Sequence, residues 1–338
     1  MWDIDNRSPF ATLGYFARDR RGMEHWVVAV RARFAILDDG LNQLLEDQGD
    51  IRIRPDYWDD QAEELANEAD FAPFRPKADF LLSGEIVAAE GQTVNKVHVG
   101  FEIAGHSKTA TAFGTRRLRK HGRSLQLEGF EAFKPCRLSW RHALGGADLM
   151  SPDAQPHPVN PIGTGWTARW QDLPEGTEVV LPLIENAETP IGEGPLPQPF
   201  GFGPVQPAWA PRAQHAGTYD DDWQKFEAPL PPADFSEQFF QAAPADQVFD
   251  LRGGEQGRVF GLHAQGAYDF RLPQAIIETS TWMGRDRIDA RPRLVCVSVN
   301  GTDRTLEMVW NARVACEAGD MSVSRTRISV KQMSGVVS

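Results

Sequence analysis

The sequence predicts a mainly β protein, with antiparallel, sandwich-like sheets on either side of a long Pro/Gly/aromatic-rich irregular middle segment and few short helices. Three observations carry this expectation. Apolar and polar residues alternate with a period of two in both flanks, an Asn-Gly pair separates two β-rich runs near the C-terminus, and prolines crowd the middle. Of the 24 prolines, 17 lie between residues 151 and 250 and 7 in the other 238 positions. Proline fixes φ and removes a backbone donor, so this stretch has no room for long helices or central strands.

From Trp26 to Ile36, apolar Trp26, Val28, Val30, Phe34 and Ile36 alternate with Arg31 and Arg33, which predicts a half-buried strand. Val97, Val99, Phe101 and Ile103 repeat the pattern, with His98 and Glu102 on the opposite face. In LVCVSVNGTDRTLEMVW, Asn300-Gly301 signals a hairpin, although the Thr-Asp that follows leaves its loop length open. MSVSRTRISVK then reads as a further strand. Helix is expected from Asp59 to Ala69, where acidic residues begin a run of good helix formers, and from Phe235 to Ala242. The chain thus divides into an N-terminal β region (1–150), a connecting segment (151–250) and a C-terminal β region (251–338), expected to form one unit with a shared core.

Composition narrows the function. The 338 residues hold 47 Asp and Glu against 35 Lys and Arg, a net charge of −12. Such a surface repels nucleic acid and anionic lipid, so neither is an expected partner. No run approaches the roughly 18–20 apolar residues of a membrane-spanning helix, and the first thirty residues carry charges where a signal peptide has its apolar stretch. A cytoplasmic protein is expected. Cys136, Cys296 and Cys316 are odd in number and widely spaced, which reads as reduced structural thiols.

A scan for chemistry finds no metal-ligand spacing among the 8 histidines and no nucleophile elbow. Gly163–Ala168 (GTGWTA) matches a dinucleotide fingerprint in form, yet it follows Pro161 with no βαβ unit around it. No catalytic residue, cofactor or metal is therefore expected. Asp220, Asp221 and Asp222 beside Tyr219 and Trp223 fit either a glycosidase or cation site or an acidic turn whose side chains cap backbone donors, and the turn is the better reading. The middle segment also carries Trp166, Trp170, Phe200, Phe202, Trp209, Arg169 and Arg212. Rigid rings and arginines dominate interface hot spots, but the same rings equally well pack a long loop onto a β core. The candidate partner-binding residues are Trp166, Phe202, Trp209, Arg212, Tyr219, Asp220 and Trp223.

Specific words then appear in order: NPIGTGW (160–166), GFGPVQPAWAPR (201–212), AGTYDDDW (216–223), PLPPADF (229–235), APADQ (243–247) and LRGGE (251–255). Earlier come PFA (9–11), HWVV (25–28), FAPFRPKAD (71–79) and RLSWRHALGG (137–146). Together they resemble a bacterial domain-of-unknown-function family associated with type VI secretion gene clusters, whose members sometimes continue into pentapeptide repeats. Trp140, His142–Leu144 and Thr115–Arg117 depart from its pattern, which bears on partner choice. The resemblance implies a cytoplasmic chaperone or co-adaptor that loads an effector onto the secretion spike or its tip protein, with no catalytic motif. It also suggests glycines that serve backbone geometry and a buried Arg212–Asp220 ion pair. Two rivals remain: a carbohydrate-active or hydrolytic β-sandwich enzyme using Asp220–Asp222 with Glu255 or another acid, and a structural component travelling with the spike.

Overall fold

The computed structural model describes residues 2–337, apart from 123, 152, 154, 192–195 and 317–322. Its largest sheet has eight strands, and both flanks of the chain contribute to it. In spatial order they are Val248–Phe249, Ala78–Ser83, Arg293–Asn300, Thr305–Ala315 and Glu24–Ile36. Along the far edge of Glu24–Ile36 lie Ala11–Arg18 and Asn42–Leu44, the latter followed by Val336–Val337. Ala78–Ser83 runs parallel to Arg293–Asn300, whereas Thr305–Ala315 is antiparallel to both its neighbours.

Two smaller sheets face this one. The first is five-stranded and antiparallel, in the order Ile184–Asn186, His106–Phe113, Lys96–Ile103, Gln256–Phe260 and Tyr268–Arg271. The second orders Asp3–Asn6, Val323–Ser334, Gln274–Met283 and Asp286–Ala290. One apolar cluster joins all three sheets. Trp26, Val30, Phe34, Phe80, Val297 and Met308 meet Val99, Phe101 and Val259 on one side, and Ile277 and Ile328 on the other. The Phe80 and Phe101 rings lie 4.5 Å apart, and Trp26 Nε1 donates to Thr326 Oγ1 at 2.8 Å, so that burying the indole leaves no orphan donor.

The expected alternation of Glu24–Ile36 gives only half of its environment. Residues 26–32 are all buried, including Arg31 on what the sequence marks as a solvent face. The outer face of the large sheet is itself covered: Leu81, Val295, Cys296 and Val309 pack against Ala243 of the middle segment. Arg31 donates there to Asp50 O at 2.5 Å and Gln48 O at 3.2 Å.

The hairpin expected at Asn300-Gly301 forms with a four-residue loop, because Asn300 pairs with Thr305. The Asn300 side chain accepts from the Thr302 and Asp303 amides, leaving Asn-Gly at the start of a longer turn. The helix expected over Asp59–Ala69 is absent. The Asp59 carboxylate takes the Glu63 and Glu64 amides for itself, and Leu65–Asn67 becomes a short strand against Asp56–Tyr57. Local side-chain acceptors outcompete the helix here, and Arg141 fixes the turn by pairing with Asp59 and Glu63. Of Phe235–Ala242, only Glu237–Phe240 is helical, as one 3-10 turn capped by Ser236.

Candidate functional site

Several words of the middle segment attach it to the sheets. Asp79, fully buried on Ala78–Ser83, accepts from Gln241 Nε2 at 2.6 Å and Ala242 N at 2.9 Å, with Arg75 Nε 3.6 Å away. Gln247 of APADQ donates to Phe80 O and Phe202 O, at 2.6 and 3.0 Å. Its Oε1 accepts from Lys108 Nζ at 2.9 Å, and Asp246 accepts from the same ammonium at 2.8 Å. Lys108 reaches out of His106–Phe113 into a cage closed by the Phe200 and Phe202 rings, 4.6 and 5.2 Å from Nζ. Burial pushes this ammonium down to about 8, against the pull of Asp246.

A second anchor forms around Trp140. Buried Glu64 accepts from Ser139 Oγ at 2.7 Å, Trp140 N at 2.8 Å and Arg137 at 3.3 Å. Asn160 of NPIGTGW donates to Trp140 O and Leu144 O, at 2.8 and 2.9 Å. Trp140 Nε1 donates in turn to Gly203 O at 3.2 Å, and the edge of Trp209 meets its ring at 6.0 Å. Gly201 lies on the Trp140 face, where a Cβ would fall 2.6 Å from Cε2. Here glycine is required by close approach, not by turn geometry.

The seven candidate partner-binding residues therefore separate. Phe202, Trp209 and Arg212 are 1%, 6% and 7% exposed, part of the packing beneath the segment. Trp166 is half-buried, with its ring edge 5.0 Å from His157. The expected Arg212–Asp220 ion pair does not form. Arg212 pairs instead with Glu68 at 2.5 Å and donates to Phe239 O and Val205 O, at 2.9 and 2.7 Å. Asp220 is exposed and accepts from Trp223 N at 2.8 Å as the N-cap of the helix Asp221–Phe226, which agrees with the capping reading of the acidic triplet.

Tyr219, Asp220 and Trp223 belong to an exposed segment that includes this helix. Tyr219 is 56% exposed and Phe226, which sequence reasoning passed over, is 81% exposed. The segment is tied down. Asp234 accepts from Thr218 N and Oγ1, at 2.9 and 2.8 Å, contacts that hold its carboxyl below the usual range. Trp223 Nε1 donates to Leu230 O at 2.8 Å, and its ring meets Tyr219 edge-on at 4.7 Å. Arg20, from the turn after Ala11–Arg18, donates to Ala233 O at 2.6 Å. The result is an aromatic and acidic knob on a pinned backbone.

The remaining chemistry is sparse. Among the described residues no group of three or more His, Cys, Asp or Glu side chains is placed to hold a metal ion. Burial pushes the Cys136 and Cys296 thiols up to about 11 and about 12, so neither is a ready nucleophile. One recess, about 830 Å3, is an open depression beside Glu102, His106, Arg258 and Asp269. Its His106 ring is stacked on Phe249 at 4.2 Å. No helix among the described residues is long and apolar enough to cross a membrane.

A family model described as an uncharacterized protein conserved in bacteria (DUF2169) matches residues 21–311. The chain belongs to this family. The DUF2169 match spans the middle segment, with both anchors and the exposed helix, together with most strands of the eight-stranded sheet. Asp3–Asn6, Ala11–Arg18 and Val323–Ser334 lie outside it. Comparison with curated proteins and with solved structures found no match.

Proposed function

We propose that this DUF2169 protein is a non-enzymatic cytoplasmic adaptor or chaperone that holds a type VI secretion effector or spike-tip protein during loading. The observation that carries the reading is the anchored knob: Tyr219 and Phe226 stand exposed on a backbone fixed by Asp234, Leu230 and Arg20. An exposed ring costs little conformational entropy to immobilise, and a pinned base lowers that cost further. The ordered words from Asn160 to Glu255 supply the secretion setting through their resemblance.

The hydrolytic reading asks the Asp220–Asp222 triplet for a catalytic pair. Asp220 already serves as a helix cap, and all three aspartates are exposed, whereas a catalytic carboxyl pair works from a cleft. A component travelling with the spike is separated from an adaptor by the secreted fraction, since an adaptor stays in the cell. The test is co-expression with the toxin or tip protein encoded beside it. A stable complex and a gain in client solubility are expected, and a client equally insoluble and unbound in the presence of this chain contradicts the proposal.

A further inference from the structure

We infer that the cleft beside Arg212 receives an extended segment of the client in which an acidic residue adjoins an aliphatic one. This deepens the adaptor reading and rests on it. The cleft has a volume of about 310 Å3, room for one or two side chains. Val205, Pro211, Ala243 and Val248 line it, small apolar surfaces that suit an aliphatic side chain.

Charge selects the neighbour of that side chain. The chain carries 47 acidic residues against 35 Lys and Arg, yet no carboxylate lines this cleft, whereas Lys77, Arg212 and His215 all do. The Arg212 charge is met from behind by Glu68, which leaves exposed Lys77 and half-buried His215 to receive an anion. A basic client segment finds no counter-charge here, and an acidic one does.

Backbone partners lie alongside. Val248 of the cleft wall belongs to Val248–Phe249, which pairs with Ala78–Ser83 on one edge and has no strand on the other among the described residues. An extended segment leaving the cleft runs beside this sheet edge. Pro211 and Pro244 stiffen the walls, so little ordering accompanies binding.

The test is selection of random heptapeptides displayed on phage against the whole folded chain, followed by binding of the selected peptides to two variants. Ala245→Trp fills the cleft from an exposed position, and Lys77→Glu reverses its charge; thermal melts confirm that both remain folded. Selected peptides are expected to place Asp or Glu beside Val, Ile or Leu. Their affinity should fall by about tenfold or more on each variant and when Lys replaces the acid, the scale of a central interface contact. Selection of no peptide, of peptides without acidic residues, or of peptides that bind both variants undiminished overturns the inference. Peptide failure with a native complex still recovered removes the cleft alone; cleft-bound peptides with no native complex remove the adaptor reading alone.

Discussion

Glu64 takes three hydrogen bonds from the Arg137–Trp140 stretch while buried, and those donors satisfy its charge. Glu64→Ala leaves Ser139 and the Trp140 amide without an acceptor, and a loss of about 3–5 kcal/mol in urea unfolding is expected. Gly201→Ala forces a Cβ onto the Trp140 ring and should cost about 1–3 kcal/mol in the same assay. Lys108 gives a pH signature. Its ammonium titrates near 8 in the folded chain and at the ordinary 10.5 when unfolded. Between those values the unfolded state holds more protons, so this group makes stability rise with pH through that window and costs stability below it. Buried tyrosines and thiols titrate with the opposite sign. The observable is thus the difference between wild type and Lys108→Met, whose unfolding free energies should diverge in slope from pH 8 to 10.5; parallel slopes contradict the placement of Lys108.

At the scale of elements, the two groups of candidate residues should respond in opposite ways. Trp209→Ala empties a buried site and is expected to cost about 3–5 kcal/mol. Tyr219→Ala with Phe226→Ala, on exposed positions, should change stability by no more than about 0.5 kcal/mol each while weakening client binding. Melting curves beside affinity measurements separate the two behaviours. The sequence made the strands legible because a sheet face imposes a period of two: Lys96–Ile103 and Thr305–Ala315 appear where alternation and Asn-Gly place them. Asp59–Ala69 was misread because helix propensity sees single residues, whereas the outcome turned on Asp59 capping amides and on Arg141, far along the chain. Among the rings, residue type gave the same signal for buried Trp209 and for exposed Tyr219. Phe226 gave none, since an apolar residue beside acidic and polar neighbours carries no mark of its 81% exposure.

Across the whole molecule, the middle segment covers part of the outer face of the large sheet, where Asp79 is buried under Gln241 and Ala242, while Gln48, Asp50 and Asp70 enclose Arg31. Both flanks supply strands to that sheet and side chains to one core cluster. Unfolding followed by tryptophan fluorescence and by far-UV circular dichroism is accordingly expected to give coincident transitions. Proline crowding announced the cover, whereas its attachment points Lys108 and Asp79 could not be read from sequence because each bond joins residues more than seventy positions apart. The function proposed above has the β scaffold present exposed Tyr219 and Phe226 to another protein. Its most direct test is affinity purification of the tagged chain from its native cells, with mass spectrometry and the molar mass of what co-elutes. A stoichiometric secreted toxin, spike or tip protein that is lost with Tyr219→Ala and Phe226→Ala is the expected result; the chain recovered alone, or a complex indifferent to both substitutions, contradicts it.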